Sequence, residues 1–229
     1  MNNLRNEVKR IFSEYGNKLL MEFIGYAFVA LGTILFLYSD LGLNSWGIFH
    51  QGLSLRTILT FGQASQAFGF FLVMICLFYK VIPGIGTIFN MYFIGKFIDL
   101  IDSFSIIHTP DSLVLKIVMM LLGTVTMAYG MFFYLKENLG AGPKDGLMIL
   151  LNKKSNLDIG IVRTGMEISA VVAGYLLGGQ FGIGTIISAL ILGPVLRFIF
   201  KLNNYNPKEI VHENIIDTYR NIRGNGTRL

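Results

Sequence analysis

The chain has 229 residues, 53% of them apolar and only 14% charged, with 26 Gly, 19 Phe and a mean hydropathy of +0.58. This composition excludes an ordinary water-soluble domain and fits a bilayer protein. A single cysteine, Cys76, excludes an internal disulfide framework, and the net charge of +5 comes from basic residues beside apolar runs, which fits orientation in a membrane rather than binding to nucleic acid.

Residues 1–18 place Leu4, Val8, Ile11, Phe12 and Tyr15 at helical spacing with Arg5, Lys9 and Arg10 between them, which predicts an amphipathic cytoplasmic segment on the anionic inner leaflet. A hydrocarbon core of about 30 Å takes about 20 apolar residues per helix. Six spans are predicted on that basis, at 19–38, 62–79, 84–102, 115–135, 161–178 and 181–200. The first lacks the cleavage pattern of a signal peptide and is expected to stay in the mature protein. "KVIPG" (80–84) marks a tight turn that divides the second span from the third. Two shorter elements, 43–55 and 141–153, are the length of re-entrant or interfacial half-helices, and the second has Pro143 and Asp145 in its opening turn. The basic tail, 204–229, has Asn206 and Pro207 as a helix start, with Ile210, Val211, Ile215 and Tyr219 as a weak stripe; a plain cytoplasmic tail is the alternative, and 224–229 is expected to be disordered.

The pentapeptide "GIGTI" occurs at 84–88 and again at 182–186. At this offset of 98, Gly25, Gly32, Gly42, Gly62, Gly84, Gly86 and Gly95 meet Gly123, Gly130, Gly140, Gly160, Gly182, Gly184 and Gly193. Chance predicts about one such pair over roughly 77 aligned positions. The chain therefore reads as a tandem duplication, 19–105 and 115–203, with three spans and one short element in each unit. An odd span count inverts the second unit relative to the first. With the N-terminus inside, 16 of the 19 Lys and Arg fall in cytoplasmic segments, while the outer loop holds Asp99, Asp102 and Asp111 and no basic residue. Both termini are predicted to be cytoplasmic.

"LGAGPKDGLMILL" (139–151), "IGIVRTGMEIS" (159–169) and "LLGGQFGIGTIISALILGPVLRF" (176–198) resemble the YczE/YyaS/YitT group of bacterial integral membrane proteins. The likeness covers most of 20–200; the first unit departs from it, with Asn44, Ser45 and Trp46 where the second has Gly142, Pro143 and Lys144. The resemblance implies a multispan, transporter-like protein of the bacterial plasma membrane and assigns no role to any residue.

Candidate solute-binding positions are Gly84, Gly86 and Thr87, their counterparts Gly182, Gly184 and Thr185, the starts of the short elements at Asn44, Ser45, Pro143 and Asp145, and the charges Lys96 and Glu167. The GIGT glycines have two readings: close helix packing, or free N–H groups and hydroxyls at a helix start that suit an anionic or polar group. Lys96 and Glu167, near the centres of the third and fifth spans, are expected to pair in one polar cavity, whereas Glu22 is expected to snorkel to the interface. The scattered His50, His108 and His212 argue against a metal site, and no spacing of nucleophile and base points to an enzyme. No cofactor is expected. The function that fits is a secondary transporter or permease for a small polar solute, working by alternating access of two inverted repeats. The alternative is a non-transporting partner that stabilises or localises another protein, and a homodimer or a membrane-protein partner stays open.

Overall fold

The computed structural model describes the backbone of residues 2–206 and 212–222, and the side chains of 14–206 and 212–221. The described residues are all-helical: α1 (Asn2–Ser39), α2 (Ser45–Arg56), α3 (Phe61–Phe78), α4 (Ile85–Ser103), α5 (Leu113–Leu135), α6 (Pro143–Ser155), α7 (Ile159–Leu176), α8 (Ile183–Leu202) and α9 (Ile215–Ile222). α1 runs unbroken from Asn2, so the expected surface segment and the first span form one helix. Its stripe at Leu4, Val8, Ile11 and Phe12 lies outside the described side chains, as do Pro207, Ile210, Val211 and 224–229 of the tail.

Among the described residues, five helical segments are long and apolar enough to cross a membrane: Glu14–Ser39, α3, α5, α7 and α8. This is one fewer than expected, because α4 carries Lys96, Asp99 and Asp102 in its second half. These carboxylates are anchored. Asp99 accepts from the Thr60 hydroxyl at 2.6 Å and from the Gly62 amide at 2.9 Å, and Asp102 accepts from the Tyr38 hydroxyl at 2.8 Å.

The 98-residue register recurs in the helices. α2, α3 and α4 begin at 45, 61 and 85, and α6, α7 and α8 begin at 143, 159 and 183. The turn after α1 takes left-handed φ at Asp40 (56°) and Gly42 (105°), and the turn after α5 repeats this at Asn138 (60°) and Gly140 (133°). At the centre, α1 crosses α5 through glycines. A Cβ on Gly25 would stand 2.8 Å from the Gly130 carbonyl oxygen, and one on Gly32 would stand 2.7 Å from that of Gly123. Residue numbers rise along one helix as they fall along the other, so α1 and α5 are antiparallel. Small residues let the backbones approach, which is how apolar helices gain contact where no water drives them together.

Each short helix packs on a long helix from the other half of the chain. α2 packs on α7, where Gly52 faces the Gly174 carbonyl, and α6 approaches α3, where Gly146 faces the Cys76 sulfur. One end of the bundle is tied by Asp40, which accepts from Lys116 and from Gln180, both at 2.6 Å. Lys116 and Gln180 hold that carboxyl below its usual range. At the other end the tail docks: the Glu213 amide donates to Asn138 O at 2.8 Å and the Ile215 amide to Pro83 O at 3.1 Å. Asn214 and Asp217 cap each other's amides, starting α9.

Candidate functional site

Both GIGT motifs form helix starts pressed against the other unit's turn. The Gly86 amide donates to Leu139 O at 2.8 Å, and the Gly184 amide donates to Leu41 O at 2.7 Å. Each threonine hydroxyl accepts from the glycine three residues earlier, Gly84 to Thr87 and Gly182 to Thr185, both at 3.2 Å. Thr87 also donates to Ala141 O. These six residues use their polar groups in packing, and none lines the central cavity.

That cavity, about 410 Å³, is enclosed by α1 to α8. The first turns of both short helices line it, Asn44, Ser45, Trp46 and Gly47 of α2 and Gly142, Pro143, Lys144 and Asp145 of α6. Asn44 starts α2 by accepting from Gly47 N at 2.8 Å, and Asp145 starts α6 by accepting from Gly142 N at 3.1 Å. Side chains of the two helix starts meet across the cavity, with the Lys144 ammonium 5.2 Å from the centre of the Trp46 ring. Trp46 and Lys144 are 98 positions apart, as are the lining pairs His50 and Met148, Ser65 and Arg163, and Asn90 and Ser188. The cavity wall is thus drawn from positions 98 residues apart, and its cations, Lys144 and Arg163, come only from the later half of the chain.

Of the expected site residues, Asn44, Ser45, Pro143, Asp145 and Glu167 line this cavity. Lys96 does not: it is exposed on α4, and Glu167 pairs instead with Arg163 one helical turn away, at 3.2 Å. The expected Lys96–Glu167 pair is therefore absent, because i,i+4 geometry on α7 offers Glu167 a nearer cation. Glu22 is also not at an interface. It is fully buried, accepts from the Tyr26 hydroxyl at 2.7 Å and abuts Gly86, while Tyr26 also reaches Gly86 O at 3.0 Å. Sequence reasoning passed over His50, Asn90, Tyr134 and Arg163 as lining residues. Helical spacing from Trp46 to His50 was the one available signal. Among the described residues, no cluster of His, Cys, Asp or Glu could hold a metal ion.

The flanks of the cavity differ. α3 and α4 touch through Gly62 and Gly95, each glycine facing the other's carbonyl. At the matching positions of α7 and α8, a Cβ on Gly193 would meet nothing within 4 Å and one on Gly160 would meet only Asp158 of its own helix cap. Pro194, within α8, falls beside this gap and removes one backbone donor there.

Residues 16–201 match a family of unknown function, DUF6198. The chain is 36% identical over 178 residues to the "Uncharacterized membrane protein YczE" of Bacillus subtilis, covering 77% of this chain and 82% of that one. It is 31% identical over 174 residues to an "Uncharacterized protein" of Haemophilus influenzae, covering 76% and 79%. The resemblance read from the Gly-Pro-Lys-Asp-Gly and GIGT elements stands. No solved structure matches.

Proposed function

The chain belongs to DUF6198, a family of unknown function within which it is a multi-pass membrane protein, and from that premise we propose that it is a permease moving a small polar solute by alternating access. The two units are inverted repeats. The antiparallel crossing of α1 and α5, which occupy matching places in the duplication, supports the inversion. α4 is the sixth crossing: it follows α1 from Tyr26 beside Gly86 to Tyr38 beside Asp102, and its charges collect at one end. Charge bias puts both termini in the cytoplasm, so the Asp40–Lys116–Gln180 tie is outside and the docked tail inside.

The observation that carries the proposal is the unequal pair of flanks around one cavity. In an inverted repeat, the two access states are produced by exchanging the conformations of the units. A closed α3/α4 flank at the outer end and a parted α7/α8 flank at the inner end describe the inward-facing state. The outward-facing state closes Gly160 on Gly193 and parts Gly62 from Gly95.

Counterflow in proteoliposomes containing only this protein, run with a panel of labelled small carboxylates, amines, amides and sugars, tests the proposal. Saturable uptake of at least one class is expected. No uptake of any class by folded, correctly oriented protein overturns it and leaves a membrane partner without transport.

A further inference from the structure

We infer that the solute is a small organic anion whose carboxylate lies against Lys144 and the two helix starts, with an apolar body against the Trp46 and Phe68 wall. This rests on the permease reading of the same cavity and adds the substrate class.

Charge accounting inside the cavity supports it. Four formally charged side chains line the walls, Lys144, Asp145, Arg163 and Glu167, and cancel. Three are already engaged: Arg163 with Glu167 at 3.2 Å, and Asp145 with the Gly142 amide at 3.1 Å. Lys144 has no hydrogen bond or ion pair among the described residues, and its ammonium rests on the Trp46 face. Asp145 and Glu167 are within electrostatic range of it but are committed elsewhere. The balance is decided by the helix starts. Each helix N-terminus carries about half a positive charge, and the first turns of two helices line this cavity. The Ser45 and Trp46 amides, which open α2, have no acceptor among the described residues, leaving donors for a ligand.

A second observation independently points to a ligand. His50, one turn along α2, is nine-tenths buried and lines the cavity, yet its ring nitrogens have no hydrogen-bond partner among the described residues. It is held only by aromatic edges and faces, Phe49, Phe61 and Phe68. Its nitrogens are not among the sealed, unpartnered polar atoms, so they stay open to a polar group that enters the cavity. A carboxylate in the cavity accepts from Lys144, and its remaining oxygen is available to His50. The aromatic wall, with Trp46 and Phe68 at 5.5 Å between ring centres, suits an apolar body of a few carbons, and a cavity of about 410 Å³ suits a molecule of that size.

Trp46 is the only tryptophan in the chain, so its fluorescence reports this site alone. Full-length protein in lipid nanodiscs is titrated with phenylacetate, its neutral isostere phenylacetamide, and phenethylammonium. The expected result is a saturable change with phenylacetate, at least about tenfold weaker binding of the amide, and no competition from the ammonium. Lys144→Met removes the preference for anion over amide, and Lys144→Arg keeps it. Equal responses to acid and amide, preference for the ammonium, or no saturable anion response each overturn the inference on unmodified protein, whether or not the variants fold. Anion binding without counterflow overturns the permease reading and spares the anion site; counterflow of an amine or sugar without anion binding does the reverse.

Discussion

Gly62 and Gly95 press backbone on backbone, each where the other's carbonyl leaves no room for a Cβ, and this contact closes the α3/α4 flank of the cavity. The matching Gly193 faces open space. The same substitution therefore has opposite effects at two equivalent positions. Replacing a mid-helix glycine with alanine gains up to about 1 kcal/mol of helix propensity. At Gly95 the clash with the Gly62 carbonyl outweighs this gain, at about 1–3 kcal/mol for forced overpacking. Gly95→Ala is expected to lower the melting temperature in detergent, whereas Gly193→Ala leaves it unchanged or higher and slows counterflow by obstructing α7 against α8. A lower melting temperature for Gly193→Ala would mean that α7 and α8 are packed together at rest.

The same matching predicts an inner-gate ion pair. Thr60 corresponds to Asp158 and Asp99 to Arg197, and in the closed flank Thr60 donates to Asp99 at 2.6 Å. Asp158 now caps α7 through Gly160 N at 2.7 Å, and Arg197 is exposed. Closing α7 on α8 brings these opposite charges together. Arg197→Asp is expected to slow counterflow at least tenfold, about 1.4 kcal/mol, and Asp158→Arg in the same chain restores most of it despite a lost cap of about 1 kcal/mol. A double variant as slow as the single one would count against the pair.

Glu22 lies where the second unit has Met120, buried beside Gly86 with Oε1 unpartnered. The Tyr26 hydroxyl has one proton and two neighbours, Glu22 Oε2 and Gly86 O. A glutamine side chain donates to Tyr26 while Tyr26 donates to Gly86. Glu22→Gln is expected to unfold within about 1 kcal/mol of the parent, whereas Glu22→Ala leaves a void and costs at least about 2 kcal/mol. Denaturant melts of the two variants check the order, and a loss in Glu22→Gln as large as that in Glu22→Ala would show that the carboxyl acts there through its charge.

The docked tail responds to pH through His212. Burial lowers its pKa from 6.5, Asp145 partly offsets this, and its buried Nδ1 has no partner. The neighbouring Glu213 carboxylate is held by Tyr15, Thr218 and Asn221. Above the ordinary histidine range, docked and released tails both hold His212 neutral and docking is complete. As pH falls below it, the released tail takes up the proton more readily, so docking weakens. Hydrogen exchange over 212–222 is expected to speed up relative to α5 between about pH 7.5 and pH 5.5, within the histidine range, and His212→Gln removes the change. Exchange that slows on acidification has the wrong sign for this cause.

Much of the architecture was legible in one dimension because it depends on local spacing. The apolar runs, the Pro83–Gly84 turn and the 98-residue glycine register forecast the helices, and the short elements begin where Asn44 and Pro143 open α2 and α6. The GIGT motif showed that two positions were equivalent, but not whether its amides faced a ligand or a neighbouring turn. That depended on Leu139 O and Leu41 O, about fifty residues and more than a hundred away in the chain. Glu22 and Lys96 were misplaced for a related reason: depth along a helix can be counted, but the side of the bundle a residue faces cannot. Tertiary structure alone brought Trp46 to Lys144 and left Gly160 and Gly193 apart, because residues at the same place in a recurring 98-residue register share their local sequence pattern while packing sets the distances between elements.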